Sequence, residues 1–305
     1  MNRVRKQLGV TDRISADIDE SIGVGILDSG IYFHPDLRES IVEVENIIGE
    51  QEGNGDYFGH GTHVAGIIAG DGRCSKGKFK GIAPKTKLYV AKILDRKGQG
   101  ELEQLIQGME WLYENRKRFS LRIVNISIGI VNVLDLQEQK PHIQPKLKKL
   151  ESLCRQFYKE NILIVVAAGN RGPEYRSISL LGDSKYVLSV GCHDGQFRFP
   201  NKKMCAEYSG RGPGRENRKK PDIVAPGTSI VSCANYGRGY VAKSGTSMAT
   251  PIVTGAAVLA FSKYPDWDVS ECMRKLLYTA TDLGEKWEKQ GYGMVNIKGL
   301  LTLTE

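Results

Sequence analysis

The sequence has 305 residues, of which 40% are hydrophobic and 8% aromatic, and it contains 43 lysines and arginines against 35 aspartates and glutamates. This composition supplies a large core and excludes a disordered chain. The basic residues are dispersed and match no nucleic-acid-binding module, so nucleic acid is excluded as an expected partner.

The amino-terminal residues 1–20 are polar and charged, and we expect them to lie over the surface of one following domain, residues 21–305. They hold no apolar segment of the length that a secretory signal requires. No run in the chain approaches the roughly 18 apolar residues of a membrane span. The six cysteines lack metal-binding spacing and are expected to be free thiols. These patterns predict a cytoplasmic protein without a membrane partner.

The chain alternates apolar strands with helices. Strands are predicted at residues 22–27, 88–94, 122–128 and 162–168. Helices are predicted at residues 64–69, 101–115, 146–160 and 252–260. Irregular structure is expected at residues 39–55, 70–81 and 131–145. The alternation predicts an α/β fold, a single doubly wound domain whose largely parallel central sheet carries helices on both faces.

Three polar positions could together form a nucleophilic site. Asp28 ends the first strand, where ligands gather in open α/β sheets, although Asp-Ser-Gly is also ordinary turn chemistry. His60 and His63 stand three residues apart on one helix, so their spacing does not decide which is a base. Ser247 lies between a Gly-Thr turn and a helix, which it could simply cap. A nucleophilic serine needs a histidine base and an orienting carboxylate, and the chain supplies both.

Five sequence blocks, in this order along the chain, resemble subtilisin-type serine proteases, and among them intracellular subtilisins. The blocks are Ile-Leu-Asp-Ser-Gly at 26–30, His-Gly-Thr-His-Val-Ala-Gly at 60–66, Asn-Ile-Ser-Ile-Gly at 125–129, Ala-Ala-Gly-Asn at 167–170 and Gly-Thr-Ser-Met-Ala-Thr-Pro at 245–251. The resemblance implies a serine endopeptidase that forms an acyl-enzyme and needs no cofactor for its chemistry. It assigns Asp28, His60 and Ser247 to the catalytic triad and treats His63 as structural.

The resemblance also implies where a peptide substrate binds. Asn170 would donate its side-chain amide to the oxyanion, together with the backbone N–H of Ser247. The peptide would add as a strand between two exposed segments, represented by Gly98, Gly100, Leu102, Ser127, Ile128 and Gly129. The primary side-chain pocket would be walled by residues 127–129, by residues 167–169, which include Ala168 and Gly169, and by the segment 171–182. Arg171 follows at its rim and, with the net positive charge, favours an acidic peptide or protein substrate.

The same resemblance implies a structural calcium site at Asp36, in the block His-Pro-Asp-Leu, and in the loop after the histidine helix. Calcium prefers several oxygen ligands with net negative charge. The loop 70–81 departs from this pattern because it has one acid, Asp71, against the four basic residues Arg73, Lys76, Lys78 and Lys80.

Two physiological roles fit this interpretation, namely general intracellular protein turnover and removal of a leader from a specific precursor. The segment 131–145 could contribute to the selectivity that the second role requires. A third reading, a non-catalytic binding pseudoprotease, predicts loss of a triad residue, and all three residues are present. The sequence leaves the oligomeric state open.

Overall fold

The computed structural model describes residues 1–15, 17–49, 53, 55–129, 143–195 and 204–303. Within them, seven parallel strands form a central sheet in the order β2-β3-β1-β4-β5-β6-β7. These strands are β1 Gly23–Asp28, β2 Ile41–Asn46, β3 Lys87–Lys92, β4 Leu121–Ile126, β5 Leu163–Ala167, β6 Val187–His193 and β7 Ile223–Pro226. The predicted α/β fold is confirmed.

Helices cover both faces of this sheet. They are α1 Asn2–Gln7, α2 Gly61–Ala69, α3 Leu102–Glu114, α4 Gln144–Lys159, α5 Thr246–Lys263, α6 Val269–Tyr278, α7 Trp287–Gln290 and α8 Ile297–Leu301. Helices α2, α5, α6 and α8 contribute to one hydrophobic core, and α3 and α4 to the other. Helix α5 is buried from Thr246 to Phe261, as expected of a helix that is apolar on all sides.

The order of the strands changes direction at β1, which lies between β3 and β4. Ligands of open α/β sheets bind at such a switch point, beyond the carboxyl ends of the strands. Asp28 is the last residue of β1, and Ser127 directly follows β4. Both residues therefore lie at this crevice.

A separate antiparallel pair, β8 Ile230–Cys233 and β9 Tyr240–Lys243, leads the chain to the start of α5. The turn between β9 and α5 contains Gly245, whose φ is 153°. Residues other than glycine rarely adopt this backbone conformation, so the turn depends on that glycine. The pair and the turn together fix the position of Ser247.

The expectation of irregular structure for residues 39–55 is wrong in part, because β2 forms there. Strand β2 is at the edge of the sheet, and none of its residues is fully buried. Its acidic side chains face solvent, where Glu43 accepts two hydrogen bonds from Arg118 at 2.6 and 2.8 Å. An edge strand of this kind lacks the continuous apolar run that identified β1, β3, β4 and β5. Of the segment 131–145, residues 131–142 lie outside the described residues.

The first ten residues pack into the domain. Four apolar side chains there, those of Met1, Val4, Leu8 and Val10, are at most 5% exposed and belong to the larger core. Residues 1–10 therefore contribute to the core itself, where the sequence predicted a segment lying over its surface. The domain boundary at residue 20 stays a prediction. None of the helices in the described part of the chain combines the length and hydropathy of a membrane span.

Candidate active site

Asp28 and His60 form a pair at the carboxyl end of β1. Asp28 is fully buried, and Nδ1 of His60 lies 2.7 Å from its Oδ1 and 2.9 Å from its Oδ2. Because Nδ1–H donates to the carboxylate, the imidazole lone pair is at Nε2. Burial alone would lower the pKa of His60, but the charge and hydrogen bonds of Asp28 outweigh burial and raise this pKa above its usual value.

A second buried carboxylate, Asp56, stabilises the chain segment that carries His60. Its Oδ1 accepts a hydrogen bond from Ser29 Oγ at 2.8 Å, and its Oδ2 accepts two from the backbone and hydroxyl of Thr62 at 2.8 and 2.6 Å. These bonds join the turn after Asp28 to the first turn of α2. The sequence analysis did not identify Asp56, because one acidic residue in a glycine-rich approach carries no pattern of its own.

His63 lies on α2 one turn beyond His60 but in different surroundings. Its Nε2 is 3.0 Å from the carbonyl oxygens of both Ile230 and Val241, so the Nε2–H is bound within the β8–β9 pair. The side chain is fully buried, and this burial lowers the pKa of His63 to about 3. An enclosed, neutral imidazole cannot exchange a proton with a substrate, so the geometry favours His60 as the base.

Ser247 lies in the first turn of α5 and lines the same cleft as His60. Only 9% of Ser247 is exposed. Within the described residues, the side-chain hydrogen bonds of His60 go to Asp28 and none joins it to Ser247. Catalytic hydrogen bonds are often long in free enzymes and shorten when substrate binds. The structure thus brings the three predicted residues together at one end of the sheet.

The side chain of Asn170 is oriented by Thr246, the residue before Ser247. Its Oδ1 accepts hydrogen bonds from the Thr246 N–H at 3.0 Å and from the Thr246 hydroxyl at 3.1 Å. A backbone N–H can only donate, so the oxygen of the amide must face Thr246. The exposed Asn170 therefore directs its Nδ2 donor away from Thr246, beside the turn that carries Ser247.

The cleft that contains His60 and Ser247 has a volume of about 700 Å³. Its lining includes all six residues predicted for the two substrate segments, which are Gly98, Gly100, Leu102, Ser127, Ile128 and Gly129. It also includes Gln99 and Leu180, which belong to the predicted segments 98–102 and 171–182. The sequence analysis missed four further lining residues, Phe58, Leu105, Ile143 and Lys146. Phe58 is two residues before His60, whereas Leu105, Ile143 and Lys146 come from segments outside the family blocks, where no local motif could identify them.

Ala168 and Gly169 do not line this cleft, contrary to the expectation from the sequence. Both are buried, and their carbonyl oxygens accept hydrogen bonds from the Ser179 N–H and the Gly210 N–H, each at 2.7 Å. Gly169 lies close to the cleft wall, since a Cβ on Gly129 would be 3.9 Å from the Cα of Gly169. The role of the two residues in a side-chain pocket stays a prediction.

Arg171 is also absent from the cleft lining. Its guanidinium lies 3.1 Å from a carboxylate oxygen of Glu174, and both side chains are largely exposed. Pairing with Glu174 reduces the charge that Arg171 can offer to a substrate. The preference for acidic substrates that was inferred from Arg171 stays a prediction, and the position of Arg171 does not add support to it.

The residues around Asp36 do not fit calcium. Oδ1 of Asp36 accepts the N–H of Cys74 at 2.9 Å, and Oδ2 accepts the hydroxyl of Tyr240 at 2.6 Å. Asp71, the acid of the following loop, accepts from the backbone and side chain of Arg73 at 2.9 and 2.6 Å. Protein donors thus occupy the positions where a cation would need oxygen ligands, and the loop is strongly basic.

His34, Asp36 and Cys233 form the one buried group of mixed ligand types among the described residues. His34 already uses both ring nitrogens, because Nδ1 accepts the Asp36 N–H at 3.1 Å and Nε2 lies 3.1 Å from the Gly239 carbonyl. Its hydrogen bonds are satisfied without a metal ion. We assign the group a structural role.

Comparison with known proteins gives one consistent family. Residues 19–295 match the model of the Subtilase family, Peptidase S8. Serine protease AprX of Bacillus subtilis (strain 168) is 33% identical over 299 residues, which are 91% of this chain and 65% of AprX. Subtilisin DY of Bacillus licheniformis is 32% identical over 281 residues, which are 91% of this chain and 90% of that protein. The solved structure of sphericase aligns with a TM-score of 0.78 at 25% identity, covering 91% of this chain and 92% of its own.

Proposed function

The chain belongs to the subtilase family of serine endopeptidases, and we propose that it hydrolyses peptide bonds of protein or peptide substrates through an acyl-enzyme. The observation that carries the proposal is the buried Asp28–His60 pair, whose imidazole opens into the cleft that Ser247 lines. The unprotonated Nε2 of His60 can act as a general base. The carboxylate of Asp28 can then stabilise the imidazolium that forms.

In the proposed reaction, Ser247 Oγ attacks the scissile carbonyl while His60 accepts its proton. Nδ2 of Asn170 and the N–H of Ser247 donate to the oxyanion of the tetrahedral intermediate. His60 then protonates the leaving amine, and the acyl-enzyme remains. Water hydrolyses the acyl-enzyme by the same steps, with His60 again as the base.

We propose that the substrate binds as an extended strand along the segments 98–102 and 127–129. Main-chain pairing of this kind gives affinity with little sequence preference, and side-chain pockets supply the selectivity. Ile128 and Leu180 make part of the cleft lining apolar. An apolar side chain on the acyl side of the cleaved bond is therefore compatible with the cleft.

As the physiological role we propose protein or peptide turnover in a reducing compartment such as the cytoplasm. All six cysteines are free thiols, and five of them are buried, which suits a compartment where disulfides do not form. Processing of one precursor is the alternative role. It is supported only by Ile143 and Lys146, which line the cleft and follow the undescribed residues 130–142. Digestion of a mixed protein lysate distinguishes broad cleavage from cleavage of one precursor.

A fluorophosphonate that labels activated serines tests the proposed activity. We expect one adduct by intact-mass spectrometry in the wild type and in Ser244→Ala, and none in Ser247→Ala. Ser244 is a matched control because it is an exposed serine three residues from Ser247. Equal labelling of Ser247→Ala, or no labelling of folded wild-type protein, would refute the proposal.

A further inference from the structure

Lys243 is a cation close to His60, and within the described residues no carboxylate pairs its charge. It is the last residue of β9, four residues before Ser247, and its backbone pairs with Ile230 of β8. No acidic side chain lies within ion-pair distance of Lys243 in the part of the chain that the structure describes. Lys146, the lysine that lines the cleft, instead has its charge matched by Glu103 at 2.9 Å.

The ammonium group of Lys243 lies near Phe58, next to the end of the cleft that His60 lines. Its Nζ lies 5.6 Å from the centre of the Phe58 ring, a contact of the cation–π type. Phe58 lines the cleft, and its ring centre is 6.3 Å from that of His60. The positive charge of Lys243 also lowers the pKa of His60, in opposition to Asp28. The cation therefore acts on the end of the cleft where His60 is located.

His60 delivers its proton to the amine of the leaving peptide in the proposed reaction. The first residue after the cleaved bond must therefore lie beside His60, at the end of the cleft on which Lys243 acts. The segments 98–102 and 127–129 are proposed to hold the acyl part of the substrate. Both segments line the cleft, and Lys243 is not part of that lining. A carboxylate side chain on the leaving peptide would meet an unpaired, half-buried cation there.

We propose that Lys243 makes this protease select an acidic side chain directly after the cleaved bond. The inference rests on the proposed endopeptidase function. It assigns a substrate class, peptides with aspartate or glutamate at the first leaving-group position, to a residue outside the triad. Electrostatic selection of this kind weakens as ionic strength rises.

The test uses internally quenched peptides that differ only in the residue after the cleaved bond, which is Glu, Gln or Lys. Each peptide ends in an amide, so its C-terminal carboxylate is removed. For the wild type we expect kcat/KM to be higher for Glu than for Lys by roughly fivefold or more at low salt. The preference should disappear in Lys243→Gln, reverse in Lys243→Glu, and persist in Lys159→Gln, which removes an exposed lysine from the end of α4.

Two negative outcomes have different meanings. Equal kcat/KM for all three peptides in the wild type and in Lys243→Glu, with Ser247 still labelled by the fluorophosphonate, would overturn the role of Lys243 and leave the proposed function intact. If no peptide is cleaved and Ser247 is not labelled, the proposed function fails, and the inference fails with it.

Discussion

His60 directly precedes α2, and His63 lies one turn further along the chain. Their surroundings shift the pKa values of the two imidazoles in opposite directions. Asp28 stabilises the charged form of His60, whereas His63 is enclosed and its Nε2–H is bound by two carbonyl oxygens. The pKa of His60 is therefore raised, and that of His63 is lowered to about 3. The spacing of the two residues in the sequence is compatible with either as a base, and only their contacts separate them.

The pH dependence of activity should follow the ionisation of His60. The neutral imidazole accepts the serine proton, so kcat/KM on an uncharged peptide should rise with pH through a pKa above the ordinary 6.5. Lys243→Gln removes a charge that lowers this pKa and should move the acidic limb to higher pH. Asp28→Asn should move it to lower pH and reduce turnover by roughly 10⁴-fold.

Lys159→Gln is the control for this pH experiment and should leave the acidic limb unchanged. The assignment of His60 as the base would be contradicted if the limb had the same position in the wild type, Lys243→Gln and Asp28→Asn.

Among the elements, four strands and four helices could be predicted from apolar runs and helical spacing in the sequence. All four predicted strands and all four predicted helices are present, and Asp28, His60, Ser247 and Asn170 meet where the family resemblance implied. Strand β2 was missed because an edge strand exposes its polar residues. Strands β6 and β7 were not predicted either, although all their residues are buried. The cleft residues Leu105, Ile143 and Lys146 were missed because their positions follow from packing between distant segments, which no local pattern encodes.

At Asp36 and in the loop 70–81, donors from the protein itself bind the acidic side chains. Asp36 has the family position, but its carboxylate is stabilised by Cys74 and Tyr240, and Arg73 binds Asp71. Charge-assisted hydrogen bonds within the protein thus replace the role that a cation would have there. The stability of this loop should then depend on Tyr240 and be independent of calcium.

We expect Tyr240→Phe to lower the free energy of unfolding by roughly 1–3 kcal/mol, because it leaves one oxygen of the buried Asp36 without its donor. Tyr236→Phe is the matched control, since Tyr236 is 62% exposed. Urea unfolding in a Ser247→Ala background prevents self-digestion during the measurement. A rise in Tm with millimolar CaCl₂ that is present in the wild type and lost in Asp36→Asn would contradict the calcium-independent interpretation.

At the scale of the whole molecule, the site is assembled by long-range packing. The proposed triad residues are at positions 28, 60 and 247 and come from β1, the start of α2 and the start of α5. Helices α2 and α5 share one core, and the side chains of residues 1–10 are part of the same core. The carbonyl of Leu8 also accepts the N–H of Lys298 in α8 at 3.3 Å. The two ends of the described chain therefore stabilise each other beneath the catalytic helices.

This arrangement predicts that a substitution remote from the cleft destabilises the whole domain. Leu8 is 3% exposed, and Leu8→Ala should reduce the free energy of unfolding by about 2–5 kcal/mol through lost burial and the resulting cavity. Lys6→Ala changes an exposed residue of α1 and should have an effect within about 0.5 kcal/mol. Both are measured by urea unfolding in the Ser247→Ala background. If Leu8→Ala were as stable as Lys6→Ala, residues 1–10 would be a dispensable covering of the surface; a large loss would make them part of the core that supports α2 and α5.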